Sequence, residues 1–379
     1  MTRTTTKLMS AALALALAAC SNTPKADTAT PEPSAATPES APAPEPKPEV
    51  KPIPEGFHAV TPQIVVKGVD AAVDFYVKNL GAQTLLTMPG PDGKAVHAEI
   101  RLGDSVVMID EEDPASGMKS PQSLGGSPVA LMTYVPDADA LVAGLLAAGA
   151  KAVYPVEEMF WGDRVGEIVD PFGHRWALAT HVEDLTPEQI DARAKLAFAP
   201  PKGKKPKKGA PPAWKQVVGT PATATVPPDY RTITPVVTVA DAAAAVEFYK
   251  QAFGAGERAR MPSADGKKLM HVEVLLGDSV LMLSDSFPEM GTKSVSDFGG
   301  SPVSLHYYVT DVDAVYAAAQ AAGAKPIMPV EDMFWGDRYG AVVDPAGLVW
   351  GIATHKEDLT PEQIEQRHRE SMQKAKPAS

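Results

Sequence analysis

The sequence predicts an α+β protein made of two tandem copies of one domain, each copy a β-α-β-β-β unit repeated once. Three observations carry this. Met159-Phe160-Trp161-Gly162-Asp163-Arg164, Asp170-Pro171, Gly173, Trp176 and Thr180-His181 return 174 residues later as Met333-Phe334-Trp335-Gly336-Asp337-Arg338, Asp344-Pro345, Gly347, Trp350 and Thr354-His355. Inside each copy the strand-and-helix pattern restarts halfway, so repeats are nested in repeats. Proline, 37 residues of it, collects near 30–54 and 200–228, outside the copies, which marks those stretches as linkers.

The chain opens with Arg3 and Lys7 ahead of an apolar run, 8–19, too short to span a bilayer as a mature helix. Leu17-Ala18-Ala19-Cys20 resembles a bacterial lipobox, which implies removal of residues 1–19, lipid on Cys20 and a place on a membrane. Ser21 after the cysteine points to the periplasmic face of the outer membrane in a Gram-negative cell. Cys20 is the only cysteine, so the exported domains stand without a disulfide. The formal charge of −12 argues against nucleic acid and against folded domains lying on anionic lipid. Residues 20–55 are Pro, Ala, Glu, Lys and Thr with almost no bulky apolar residue, and read as a disordered tether.

The first domain, 56–183, begins with a β-branched strand at 60–66. Residues 70–80 follow, with Val69, Val73, Tyr76 and Leu80 at helical spacing and Gly81 placed as a C-terminal cap. A strand at 83–88 precedes an alternating strand at 96–102, the turn Gly103-Asp104 and a return strand at 105–110. The restart has a strand at 129–135, a helix capped by Asp137 and ended by Gly149, and strands near 153–154, 166–169 and 176–180. The second domain, 229–357, repeats this: strand 234–239, helix 242–253, hairpin 270–276 with 279–285, strand 305–309 and a helix capped by Asp311. Thr186-Pro187-Glu188-Gln189 and Thr360-Pro361-Glu362-Gln363 each start a brace helix with a capping box. The first brace and a Pro/Lys-rich linker fill 184–228, and the second with a tail fills 358–379. The lysines at 202, 204, 205, 207 and 208 read as a solvated linker.

Asp74-Phe75-Tyr76 with Gly81-Ala82, the His97-Ala98-Glu99…Gly103-Asp104-Ser105 hairpin, and Trp161-Gly162-Asp163-Arg164…Asp170-Pro171-Phe172-Gly173-His174…Trp176 resemble the vicinal-oxygen-chelate superfamily. This is the glyoxalase, bleomycin-resistance and extradiol-dioxygenase group, and the likeness is to its PhnB-like branch. It covers 57–183 and 230–357. The resemblance implies paired βαβββ modules with a curled mixed sheet around a cleft, and two copies packed as an internal pseudo-dimer, although the linker also permits independent domains. Metal-dependent members hold a divalent ion with His, Gln or Glu on the first and last strands of each module. That pattern falls on Thr61, Met108, Ala130 and Ala177 in the first copy, and on Thr234, Met282, Ser304 and Gly351 in the second. None is a usual ligand. The resemblance therefore implies the fold and argues against a cofactor and the usual metal chemistry.

Two groups of side chains remain. His97 and Glu99, repeated as His271 and Glu273, share one strand face; they offer an acid–base pair, half a metal site, or a polar pair on an exposed hairpin. His306 adds an imidazole in the second copy only, where the first has Met132, so His271, Glu273 and His306 are the atoms to watch for a divalent metal. Trp161 with Arg164, and Trp335 with Arg338, offer stacking surfaces and a guanidinium to a ligand, joined by Met108 and Met282; the alternative is a loop plug with its aspartate paired internally. His181 and His355, next to acids just after the last strands, read as capping or surface residues rather than catalytic ones. No phosphate-cradling loop or nucleophile elbow is present in the sequence. The expectation is a membrane-tethered protein that binds a small molecule, an aromatic one among the candidates, without converting it. The alternatives are a metal-dependent lyase or oxidoreductase with an atypical His-x-Glu site, and a non-catalytic envelope interaction protein.

Overall fold

The computed structural model describes residues 50–199 and 211–374. The signal segment, Cys20, nearly all of the tether and the lysine run at 202–208 lie outside the described residues. The first repeat contains β1 (Val60–Val66), α1 (Val69–Leu80), β2 (Gln83–Pro89), β3 (Ala95–Leu102), β4 (Ser105–Glu111), the single turn α2 (Pro121–Leu124), β5 (Val129–Tyr134), α3 (Ala138–Ala147), β6 (Lys151–Glu158), β7 (Asp163–Val169), β8 (Arg175–His181), the short β9 (Glu183–Asp184) and α4 (Pro187–Ala197). A two-residue strand, β10 (Thr220–Pro221), precedes the second repeat: β11 (Ile233–Val239), α5 (Ala242–Phe253), β12 (Gly256–Pro262), β13 (Leu269–Leu276), β14 (Ser279–Asp285), α6 (Val295–Phe298), β15 (Val303–Tyr308), α7 (Val312–Ala321), β16 (Lys325–Asp332), β17 (Asp337–Val343), β18 (Val349–His355) and α8 (Pro361–Lys374).

The predicted caps form. Asp137 accepts from the Ala140 amide and Asp311 from that of Ala314, satisfying amides that the first turn leaves open. Helix α1 starts differently: the Glu111 carboxylate, at the end of β4, receives the Gly68 and Val69 amides, tying helix to strand. Strands β6 and β16 are longer than their sequence suggests, because Pro155, Pro326 and Pro329 interrupt the apolar run. Both are edge strands, where a missing N–H costs no ladder bond.

Strand order in the first sheet is β16-β17-β18-β15-β1-β4-β3-β2, and in the second β12-β13-β14-β11-β5-β8-β7-β6. Each sheet thus joins the front module of one repeat to the back module of the other. The seams are antiparallel, with Gln63 opposite Ser304 between β1 and β15, and Val236 opposite Ala130 between β11 and β5. The fold class is the one the sequence predicts, but neither repeat closes a sheet of its own. The eight ligand places regroup accordingly. Thr61 and Met108 share a sheet with Ser304 and Gly351, and Thr234 and Met282 share one with Ala130 and Ala177.

The helix-bearing faces of both sheets feed one continuous apolar core, which includes Ile64, Ile109, Trp176, Val237, Leu283 and Trp350. The Asp-Pro turns are anchored in it: Asp170 accepts from the Tyr76 hydroxyl (2.7 Å) and Trp176 Nε1 (2.9 Å), and Asp344 from Tyr249 (2.8 Å) and Trp350 (3.0 Å). The front hairpins cross between sheets. Asp104 and Ser105 accept the Thr232 and Ile233 amides, and Asp278 and Ser279 those of Ala59 and Val60.

The braces pack on their own repeats. Arg193 of α4 is 1% exposed, bonds the Val217 carbonyl and Glu183, and lies 5.3 Å over the ring of Trp214. Phe334 stacks on His368 of α8. The latter half of the linker is likewise folded against the body: Trp214 is buried, and β10 pairs with β9.

Candidate functional site

Alternation along the strands sends Ile64, Ala98, Ile100, Val107, Ile109 and Leu305 into the core, so their neighbours line the opposite, inner face of the first sheet. There His97 Nδ1 bonds Asp110 at 2.7 Å, Gln63 donates its amide to the other oxygen of Asp110, and the Ser304 hydroxyl donates to Gln63 Oε1 at 3.3 Å. Glu99 lies 3.8 Å from His97 Nε2. Burial acts to lower the His97 pKa, but the carboxylates of Asp110 and Glu99 more than offset it and push it up to about 10. His97 is therefore an imidazolium at neutral pH, a donor rather than a base.

His306 completes this face. It is 5% exposed, and its buried Nε2 has no hydrogen-bond partner among the described residues. Its ring lies 4.5 Å from that of Tyr308 and stacks on Tyr339 at 5.4 Å. Burial holds its pKa below the usual range. The Tyr339 ring fits because residue 351 has no side chain: a Cβ there would lie 2.6 Å from Tyr339 Cε2 and 2.7 Å from its hydroxyl.

The inner face of the second sheet is different. Met132, Tyr134, Val165, Ala177 and Ala179 form a small apolar cluster, against which Trp161, Val226, Tyr230 and Val236 pack. His271 bonds Glu273 at 2.9 Å, and Glu273 also receives the Tyr230 hydroxyl at 2.6 Å. Position by position, Gln63 is answered by Val236, Asp110 by Ser284, His306 by Met132 and Tyr339 by Val165. One face is polar and the other is filled.

The His-x-Glu pairs thus lie on inner faces, not on solvent-exposed hairpins. His271 and Glu273 sit in the second sheet and His306 in the first, so these three do not come together. The places that the resemblance assigns to metal ligands hold two threonines, two methionines, a serine, two alanines and a glycine, a donor set that does not fit a divalent ion. Among the described residues no cluster of three or more His, Cys, Asp or Glu side chains is arranged to hold a metal.

The Phe-Trp-Gly-Asp-Arg turns separate their aromatic and cationic ends. Trp161 Nε1, Tyr134 and His181 all bond the buried Asp163, and Trp335, Tyr308 and His355 repeat this around Asp337. Arg164 turns to the helix side and pairs with Asp139, as Arg338 does with Asp313. No common ligand can be gripped by such a Trp and Arg together. Gly162 makes the turn possible, since its φ is +100° and a Cβ would sit 2.4 Å from the Glu183 carbonyl oxygen. His181 and His355 are buried posts rather than surface caps, each bonded to two carboxylates. Met108 and Met282 lie on the inner faces, beside Gln63 and Val236. Sequence reasoning passed over Gln63, Asp110, Tyr339 and Tyr230. A comparison of the two copies with each other would have flagged them, because they are where otherwise like repeats differ.

Residues 56–178 and 232–352 match the family model described as the Glyoxalase/Bleomycin resistance protein/Dioxygenase superfamily. An uncharacterized protein of Mycobacterium bovis is 43% identical over 137 residues, 35% of this chain and 90% of that protein; an uncharacterized protein of Mycobacterium tuberculosis shows the same identity over 81% of its length. Among solved structures, a point mutant of glyoxalase I from Zea mays superimposes with a TM-score of 0.51 at 14% identity, covering 82% of this chain and 96% of that one. A second point mutant of the same enzyme gives 0.50 at 15% identity, over 78% and 94%. These two likenesses concern the fold alone.

Proposed function

The chain belongs to the glyoxalase/bleomycin resistance protein/dioxygenase superfamily, and from that premise we propose that it binds a small molecule at one inner face, that of the first sheet, without the ion its metal-dependent relatives hold. The observation that carries this is the difference between the two faces. One presents His306 with a buried nitrogen unpartnered among the described residues, on the face that also carries Glu99, His97 and Asp110, whereas the other is closed by its own Tyr230, Val226 and Met132. A buried polar atom without a partner costs roughly 1–3 kcal/mol, which a ligand at that atom would offset. Tyr308, Tyr339 and Trp335 supply flat walls suited to a ring-bearing ligand. Screening the purified chain by thermal shift, followed by native mass spectrometry of any hit, tests the reading. One molecule per chain, lost in His306→Ala, is the expected result; two per chain, or binding indifferent to His306, would refute it.

We propose further that Cys20 carries lipid and holds the protein at the membrane on its Pro-rich tether. Cys20→Ser should then move the chain from the membrane to the soluble fraction.

A further inference from the structure

Both repeats carry the same His-x-Glu pair on the middle strand of the front hairpin, yet they furnish its carboxylate differently. In the second sheet Glu273 is fully engaged. It accepts from the Tyr230 hydroxyl at 2.6 Å and from His271 at 2.9 Å, and the Arg258 guanidinium lies 3.8 Å away. That guanidinium also sits 5.1 Å over the Tyr230 ring.

Glu99 lacks each of these. Phe57 stands where the second repeat has Tyr230, meeting Tyr308 at 5.8 Å much as Tyr230 meets Tyr134 at 6.0 Å, but it brings no hydroxyl. Leu85 stands where the second repeat has Arg258, in the same irregularity of the edge strand. His97 is drawn to Asp110, which leaves its Nε2 3.8 Å from Glu99. Arg101, two residues along the same strand face, lies against Gly56 and forms no ion pair with Glu99 among the described residues. The Glu99 side chain is 18% exposed, so it can be reached. Independently, the Nε2 of His306 has no hydrogen-bond partner among the described residues, and its ring feels the charges of Asp337 and then Glu99. A neutral imidazole nitrogen without a partner, and a carboxylate whose cationic neighbour His97 stands off at 3.8 Å while bonded to Asp110, describe a receptor for N–H groups on a positive charge.

We infer that the inner face of the first sheet takes an organic cation, whose ammonium, amidinium or guanidinium group stands against Glu99 where Tyr230 and Arg258 stand against Glu273, and donates a further N–H to His306 Nε2. The inference rests on the single-face binding proposed above and names its ligand class. The filled second face is the chain's own stand-in for the occupied state.

Calorimetric titration of the full chain with benzamidine, and with neutral benzamide and anionic benzoate of the same shape, tests this. Benzamidine should bind once per chain, at least tenfold more tightly than benzamide, and benzoate should not bind. Glu99→Gln should weaken benzamidine at least tenfold and leave benzamide unchanged. The double variant Phe57→Tyr with Leu85→Arg copies the furnishing of the second face, which this fold already accommodates, and should abolish binding with Glu99 still in place. Equal affinity for benzamidine and benzamide, or affinity indifferent to both variants, would overturn the cation inference and leave small-molecule binding standing. A neutral or anionic screening hit sensitive to His306→Ala, in a chain blind to benzamidine, would do the same. Silence toward every compound of the screen would sink both.

Discussion

The Glu99 carboxylate and the His306 nitrogen owe their condition to substitutions elsewhere, on strands brought to them by the fold. Phe57 withholds a hydroxyl, Leu85 a guanidinium, and Asp110 claims the nearest imidazole. Gly351 shows the same dependence in steric form. Its missing side chain is the room that the Tyr339 ring occupies. Gly351→Ala should destabilise the chain by about 1–3 kcal/mol, the usual cost of overpacking. The pair Gly351→Ala with Tyr339→Val, which reproduces the Ala177 and Val165 of the other sheet, should recover most of it. Denaturant unfolding of the two singles and the double checks this, and a purely additive cycle would remove the proposed contact.

Among the elements, α4 shows how a mostly polar helix earns its place. Propensity and its capping box start it, but its hold on the body is Arg193, clamped between Glu183, the Val217 carbonyl and the face of Trp214. Trp214→Ala removes a large buried ring, and such losses typically cost about 3–5 kcal/mol. The linker should then open locally, and trypsin should cut after Lys215 much faster than in the parent chain. An unchanged cleavage rate would mean that the Trp214 contact contributes nothing. Strands β6 and β16 teach a related lesson. A proline inside an apolar run reads as a break, whereas at a sheet edge it is only a residue whose missing donor would have faced outward.

At the scale of the whole molecule, the crossed sheets make the repeats interdependent. Residues 50–199 alone would leave β1 and β5 as open central edges, each a row of unpaired backbone groups. That fragment should be an oligomer or an aggregate by light scattering, and should join residues 211–379 on mixing. A stable monomer would contradict the crossed pairing. The crossing point also carries a pH dependence. His58 lies 3.6 Å from Asp104 and bonds Asp278 at 2.7 Å, and Arg231 pairs with Asp278 as well. The Asp104 and Asp278 carboxylates raise its pKa to about 9, against the opposing pull of burial. A raised histidine contributes stability that is fully present below its unfolded pKa of about 6.5 and is lost as pH rises through about 9. Melting temperature should therefore fall between pH 7 and 10, and less steeply in His58→Gln. Equal slopes would acquit His58, since His97, His181 and His355 are raised as well and would carry the remainder.

The sequence by itself determined the doubled architecture, the nested β-α-β-β-β pattern and the helix caps. These are local or periodic properties, written in spacing and side-chain type and readable without knowing what touches what. Only the tertiary structure decided which halves share a sheet, because pairing β1 with β15 rather than with β5 leaves every local pattern unchanged. That choice separates His306 from His271 and Glu273 and sets it on the inner face that carries His97, Glu99 and Asp110. A site is a set of distances between residues far apart in the chain, and those distances follow from how the backbone ladders are joined.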